Sequence, residues 1–132
     1  MTAETKPGYS RKVAEYFGHP ANAGIPAGDP AELFHGEAGD RAQGVQVVFH
    51  MRVSSEDIAE IRFQAFGCPH TIAACSLATD RLMGSSVRAL MEMTAGSLVT
   101  ALDVPVEKMG RMLVVQDALQ NCFRAWDNKG FA

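Results

Sequence analysis

The sequence predicts an α+β fold: a small antiparallel sheet followed by helices packed on one of its faces. Two observations predict it. Between Gln43 and Phe66 apolar and polar residues alternate in two runs, joined only by Ser54-Ser55-Glu56-Asp57. A period of two marks half-buried strands, and so short a link makes neighbouring strands antiparallel. Beyond Pro69 the apolar residues recur at helical spacing instead. Strands first and helices afterwards describe an α+β arrangement.

The elements follow in order. Met1 to Gly8 reads as a loose tail on a single domain spanning residues 1–132. Ser10 is placed to cap a short helix through Phe17, with Val13, Tyr16 and Phe17 as its apolar stripe. Gly18-His19-Pro20-Ala21-Asn22-Ala23-Gly24 ends that helix, and a Gly/Pro/Asp-rich loop runs to Pro30. Leu33 to Ala38 is a short edge strand interrupted by Gly36. Gln43 to Val53 is the strongest strand, with Val45, Val47, Phe49, Met51 and Val53 on one face and Gln46, Val48, His50 and Arg52 on the other. Ile58 to Phe66 returns beside it. Helices are expected over His70 to Met83, Ser86 to Met93, Ala95 to Leu102 and Glu107 to Trp126, broken at Gly84-Ser85 and Asp103-Val104-Pro105.

Composition narrows the function. A chain of 132 residues with 47% hydrophobic content suits one ordinary soluble domain. A net charge of -3 without a Lys/Arg cluster gives no general attraction to nucleic acid or to an anionic membrane. No apolar run has membrane-spanning length, and Met1 to Ser10 lacks the core of a secretory signal. Three cysteines, Cys68, Cys75 and Cys122, argue against a disulfide framework and for a reducing cytoplasm. There is no Ser/His/Asp set in a strand–turn–helix context, no phosphate loop and no placed carboxylate pair, so independent turnover is not expected.

The chemistry concentrates in Phe66-Gly67-Cys68-Pro69-His70-Thr71-Ile72, where a strand stops and a helix starts. Gly67 permits the bend, and Pro69 suits a first helical turn. A thiol at a helix mouth meets free N–H groups and the positive dipole end, which lower its pKa from about 8.5. Cys68 is then either a nucleophilic or ligating sulfur, or a buried cysteine acting as a small hydrophobe. Position alone leaves both open.

The chain resembles the iron–sulfur cluster assembly scaffold family of the IscU/NifU N-terminal type. The resemblance rests on Tyr9-Ser10-Arg11-Lys12-Val13 with Tyr16, Pro20, Asn22 and Gly24; on Phe66-Gly67-Cys68 with Ile72-Ala73 and Ser76-Leu77-Ala78-Thr79; and on Met112 to Leu119. It implies a [2Fe-2S] cluster or iron as cargo, held by three cysteines helped by an Asp or a His. It also implies a cysteine desulfurase or an iron–sulfur client protein as partner, and it leaves room for a homo-oligomer. Thiolates are soft ligands suited to such clusters. Carried over by position, the first cysteine and its aspartate fall on Gln43 and Val45. The second is Cys68. The His-Cys pair of the last helix falls on Gly110 and Arg111. Only Cys68 keeps a ligand. Arg111 sets a permanent cation where the family has a thiolate, which repels iron and favours an anionic sulfur on Cys68. The segment that the family presents to its chaperone falls on Val104-Pro105-Val106-Glu107-Lys108, with Pro105 and Lys108 retained.

Three readings follow: a diverged scaffold whose cluster is completed by a partner or second subunit, an adaptor or regulator that keeps the docking surface and binds no metal, and a sulfur carrier that takes a persulfide on Cys68. His70 is either a helper of Cys68 or a solvent-facing residue of the first helical turn. His35 and His50 approach each other without paired metal spacing, and His19 is structural. Cys75 and Cys122 belong to helical core stripes. Glu37 and Asp40 offer oxygen ligands or loop solvation. Met83, Met91, Met93, Met109 and Met112 line a docking groove or fill a core.

Overall fold

The computed structural model describes residues 9–18 and 20–130. The expected tail and His19 lie outside them. Val45, Val47, Phe49 and Met51 point to one side of a strand, and all four are buried. That strand, β2 (Val45–Ser54), lies between β1 (Leu33–Asp40) and β3 (Asp57–Phe66) in a fully antiparallel sheet. Ser55 and Glu56 make the β2–β3 turn with φ of 51° and 68°, the left-handed pair that matches the twist of a two-residue hairpin.

Gly36 does not interrupt β1; it admits a helix. A Cβ there would stand 2.0 Å from the Cys122 backbone nitrogen and 2.5 Å from the Ala118 carbonyl oxygen. Both belong to α4 (Met109–Gly130), which lies across β1 and β2. Met112, Val115, Ala118, Leu119 and Cys122 form the buried stripe of α4. The helix begins two residues later than expected, because Val106–Lys108 is a 3-10 turn, and it continues past Trp126.

α2 (Pro69–Leu82) is the most enclosed element, with ten of its residues buried between α1 (Arg11–Gly18), β3 and α4. Ser10 caps α1, its Oγ accepting from the Val13 N–H at 3.1 Å. Only Val13 of the expected stripe is buried; Phe17 is 47% exposed, because α1 is short and rests on α2 along a single line. α3 (Ala95–Leu102) starts on a reciprocal Thr94–Ser97 capping box. The segment expected as a helix over 86–93 is a 3-10 helix, Val87–Glu92. Backbone bonds from Ile58 to Ser85 at 2.7 Å and from Val87 to Glu56 at 2.9 Å tie its start to the β2–β3 hairpin, which leaves no room for a full α-turn.

The turn at Pro20–Gly24 is stitched into this frame. The Asn22 amide donates to Thr79 Oγ1 at 3.2 Å, and Ser76 Oγ donates to the Ala21 carbonyl at 3.2 Å. The Gly24 N–H reaches the Phe63 carbonyl at 2.8 Å, and the Phe63 N–H returns to that of Asn22 at 3.0 Å. Asn22 takes φ 65°, a left-handed value that asparagine tolerates. Helices thus cover one face of the sheet, while the other carries His35, Glu37, Gln46, His50, Gln64 and Phe66.

Candidate functional site

Cys68 is the N-cap of α2, in extended conformation with φ -79° and ψ 171°. Its thiol is half-buried. A Cβ on Gly67 would meet the Thr71 side chain at 3.0 Å, so the glycine lets Thr71 stand beside the sulfur. Thr71 Oγ1 lies 3.5 Å from Cys68 Sγ. Partial burial alone would raise the thiol pKa. Hydrogen bonds from the Thr71 hydroxyl and from the backbone N–H groups of Thr71 and His70, with the positive charge of Lys108, outweigh it and hold Cys68 below the ordinary thiol value. Cys75 and Cys122 titrate the other way. Burial pushes Cys122 up to about 12 and raises Cys75 further, so both behave as core hydrophobes.

His70 is not solvent-facing. It is 1% exposed, and its ring packs edge-on against Tyr9 at 4.9 Å, because α1 and the residues before it roof the first turn of α2. Val45 does not line a site either. At 6% exposure it belongs to the core, as its place in the alternation with Val47 and Phe49 requires. Gln43 is exposed in a 3-10 turn, Arg41–Gln43, outside the strand, which begins at Val45. Asp40 caps that turn, its Oδ1 accepting from the Ala42 N–H at 2.9 Å. Glu37 receives a hydrogen bond from the Gln46 amide.

Arg111 meets the same turn. Its Nη1 donates to the Gln43 carbonyl at a long 3.5 Å, and its terminal nitrogens lie 3.4 and 3.5 Å from where a Cβ on Gly44 would stand. Gly44, at φ 88°, both turns the chain and makes room for the guanidinium. Gly110 is exposed with open space around it. Arg41 lies over the Phe66 ring at 4.9 Å and donates through Nε to Gln46 at 3.1 Å. These residues border a shallow cavity of about 200 Å³ that Val48, Gln64 and Ala65 complete. The structure thus joins Arg111 to Gln43–Gly44, and Thr71 and Lys108 to Cys68. Sequence reasoning missed Thr71, whose position three residues past an N-cap was the available signal. In the sequence Lys108 reads only as part of the docking segment, forty residues from Cys68.

Val104 is buried, Pro105 and Lys108 are half-buried, and the neighbouring Val106 is 81% exposed. Met112 lies in the core, Met83, Met93 and Met109 pack against it, and Met91 is exposed. Among the described residues no group of three or more His, Cys, Asp or Glu is disposed to hold a metal ion, and no helix is long and apolar enough to cross a membrane.

Comparison with known proteins agrees with the fold. Residues 8–132 match the family model described as the NifU-like N-terminal domain. The chain is 32% identical over 114 residues to the iron–sulfur cluster assembly scaffold protein IscU 1 of Archaeoglobus fulgidus, covering 85% of this chain and 72% of that protein. It is 34% identical over 129 residues to the bifunctional protein NifU/MnmA of Rubrobacter xylanophilus, covering 94% of this chain but only 26% of that longer protein. The fold matches the crystal structure of the N-terminal part of a nitrogen-fixing NifU-like protein from Brucella abortus, with a TM-score of 0.71 at 14% identity, over 91% of this chain and 94% of that one.

Proposed function

The chain belongs to the NifU-like N-terminal domain family, and on that premise we propose that it is a diverged iron–sulfur cluster assembly scaffold in which Cys68 is the single thiolate offered to the cargo. The observation that carries this reading is the contrast between the two halves of the site. Cys68 is accessible, at a helix mouth, and biased toward its anion. Gln43, Gly110 and Arg111 offer no soft ligand, and Val45 is packed away. A nascent [2Fe-2S] cluster or iron is the cargo; its remaining coordination comes from a partner, a cysteine desulfurase or a client protein, or from a second copy of the chain. The setting is the reducing cytoplasm, and the role is that of a scaffold or carrier without turnover of its own.

Anaerobic incubation with iron, cysteine and a desulfurase tests it. The expected result is iron and sulfide retained on the complex with the wild-type chain and lost with Cys68→Ala. Equal retention by the two chains overturns the reading.

A second reading has its own support in the depressed Cys68 pKa and the nearby Lys108. The Cys68 thiolate attacks the outer sulfur of a donor persulfide, a new S–S bond forms at Cys68, and the donor leaves as its thiolate. Mass spectrometry after incubation with the desulfurase and cysteine alone detects the added sulfur, and its absence rejects this role.

A further inference from the structure

The sheet face opposite the helices carries a pair of histidines that the Cys68 site does not use. His35 of β1 and His50 of β2 are direct cross-strand partners. Their ring centroids are 6.1 Å apart with planes tilted by 43°. His50 Nε2 lies 2.9 Å from Gln64 Oε1. An amide oxygen can only accept, so in the neutral ring the contact selects the tautomer that donates through Nε2 and leaves Nδ1 for a ligand. The nearby cations are already engaged: Arg52 and Arg62 both pair with Glu60, at 3.4 and 2.5 Å. His35 is exposed.

We propose that His35 and His50 form a two-imidazole site for a divalent transition ion of the zinc, nickel or copper class. Imidazole suits these ions, whereas magnesium and calcium take oxygen ligands. Facing positions on antiparallel strands hold their Cβ atoms about 4.5–5.5 Å apart, so the backbone presets the two side chains as neighbours. Metal–nitrogen bonds of about 2.0–2.1 Å draw two rings closer than the present spacing. Rotation of the exposed His35 ring about its side-chain torsions closes the gap without moving a strand. The Gln64 oxygen on Nε2 fixes the tautomer of His50, as the outer partners of metal-bound histidines do. With two protein donors, the other coordination positions stay with water or with a donor from a second molecule, so the ion is exchangeable.

The test uses the untagged chain carrying Cys68→Ser, which removes the accessible thiolate. Zinc chloride is titrated calorimetrically, and nickel chloride is followed by paramagnetic broadening of amide resonances. The expected result is one zinc ion per chain, with broadening centred on β1 and β2. His35→Ala and His50→Ala, each added to that background, weaken binding about tenfold or more, the loss of one ligand of two. Their circular dichroism stays unchanged, because both positions lie on the open face. Absence of zinc binding, undiminished affinity in both histidine variants, or broadening centred elsewhere overturns the proposal. None of those outcomes bears on Cys68, which the test chain lacks.

Discussion

Two turns, Pro20–Gly24 and Arg41–Gly44, are built in opposite ways. At the first, the chain exchanges two backbone bonds with Phe63 and two side-chain bonds with α2, through Asn22–Thr79 and Ser76–Ala21. At the second, exposed side chains meet the start of α4 through one long contact from Arg111 to the Gln43 carbonyl. The first turn carries the residues that define the fold. The second includes Gln43, a position on which the resemblance to the scaffold family makes a cluster ligand fall. Gln43 and Arg111 thus carry little of the packing, whereas Val45, two residues further along, belongs to the core.

The largest expected effect lies in mid-β1, where α4 rests on the strand that leads to the second turn. Gly36→Ala forces a methyl into the α4 backbone, and destabilisation of about 3 kcal/mol or more is expected in urea unfolding. A loss below about 1 kcal/mol would mean that α4 does not rest on β1 as described. Next comes the first turn itself. Thr79→Val leaves the Asn22 amide without its acceptor and should cost about 1–3 kcal/mol in the same measurement. Smaller still is the electrostatic effect at Cys68. Its alkylation rate should rise with pH through a midpoint below that of an unfolded cysteine, about 8.5, and Lys108→Met should move that midpoint up. Because the folded pKa is the lower one, the thiolate's contribution to stability is fully present above the unfolded value and disappears as pH falls through the folded value. The smallest effect belongs to Arg111→Ala, expected within about 0.5 kcal/mol of wild type. A larger loss there would erase the difference between the two turns.

The sheet was legible because β2 alternates and the link to β3 is short, which fixes an antiparallel pairing; the register shift at Arg52–Val53 was not legible. α3 was legible to the residue, since Thr94 and Ser97 mark its start. The helix expected at 86–93 misled because apolar spacing over so few residues does not separate an α-turn from a 3-10 turn; the tie to Glu56 and Ser85 decides it. Gly36 read as a flaw in a strand because the helix above it arrives from more than eighty residues away. At the site, Cys68 as a helix N-cap was written in Gly67 and Pro69. The solvent-facing alternative for His70 fails because the Tyr9 ring that covers it comes from some sixty residues earlier in the chain. Val45 was assigned two incompatible faces, core and pocket, and strand parity admits only the first.

The contact between Gly36 and α4 has a mechanical consequence. A helix backbone seated on a bare strand has no slack, since neither side can slide without hard collision. α4 and the strand that leads toward Gln43 are therefore expected to move as one body.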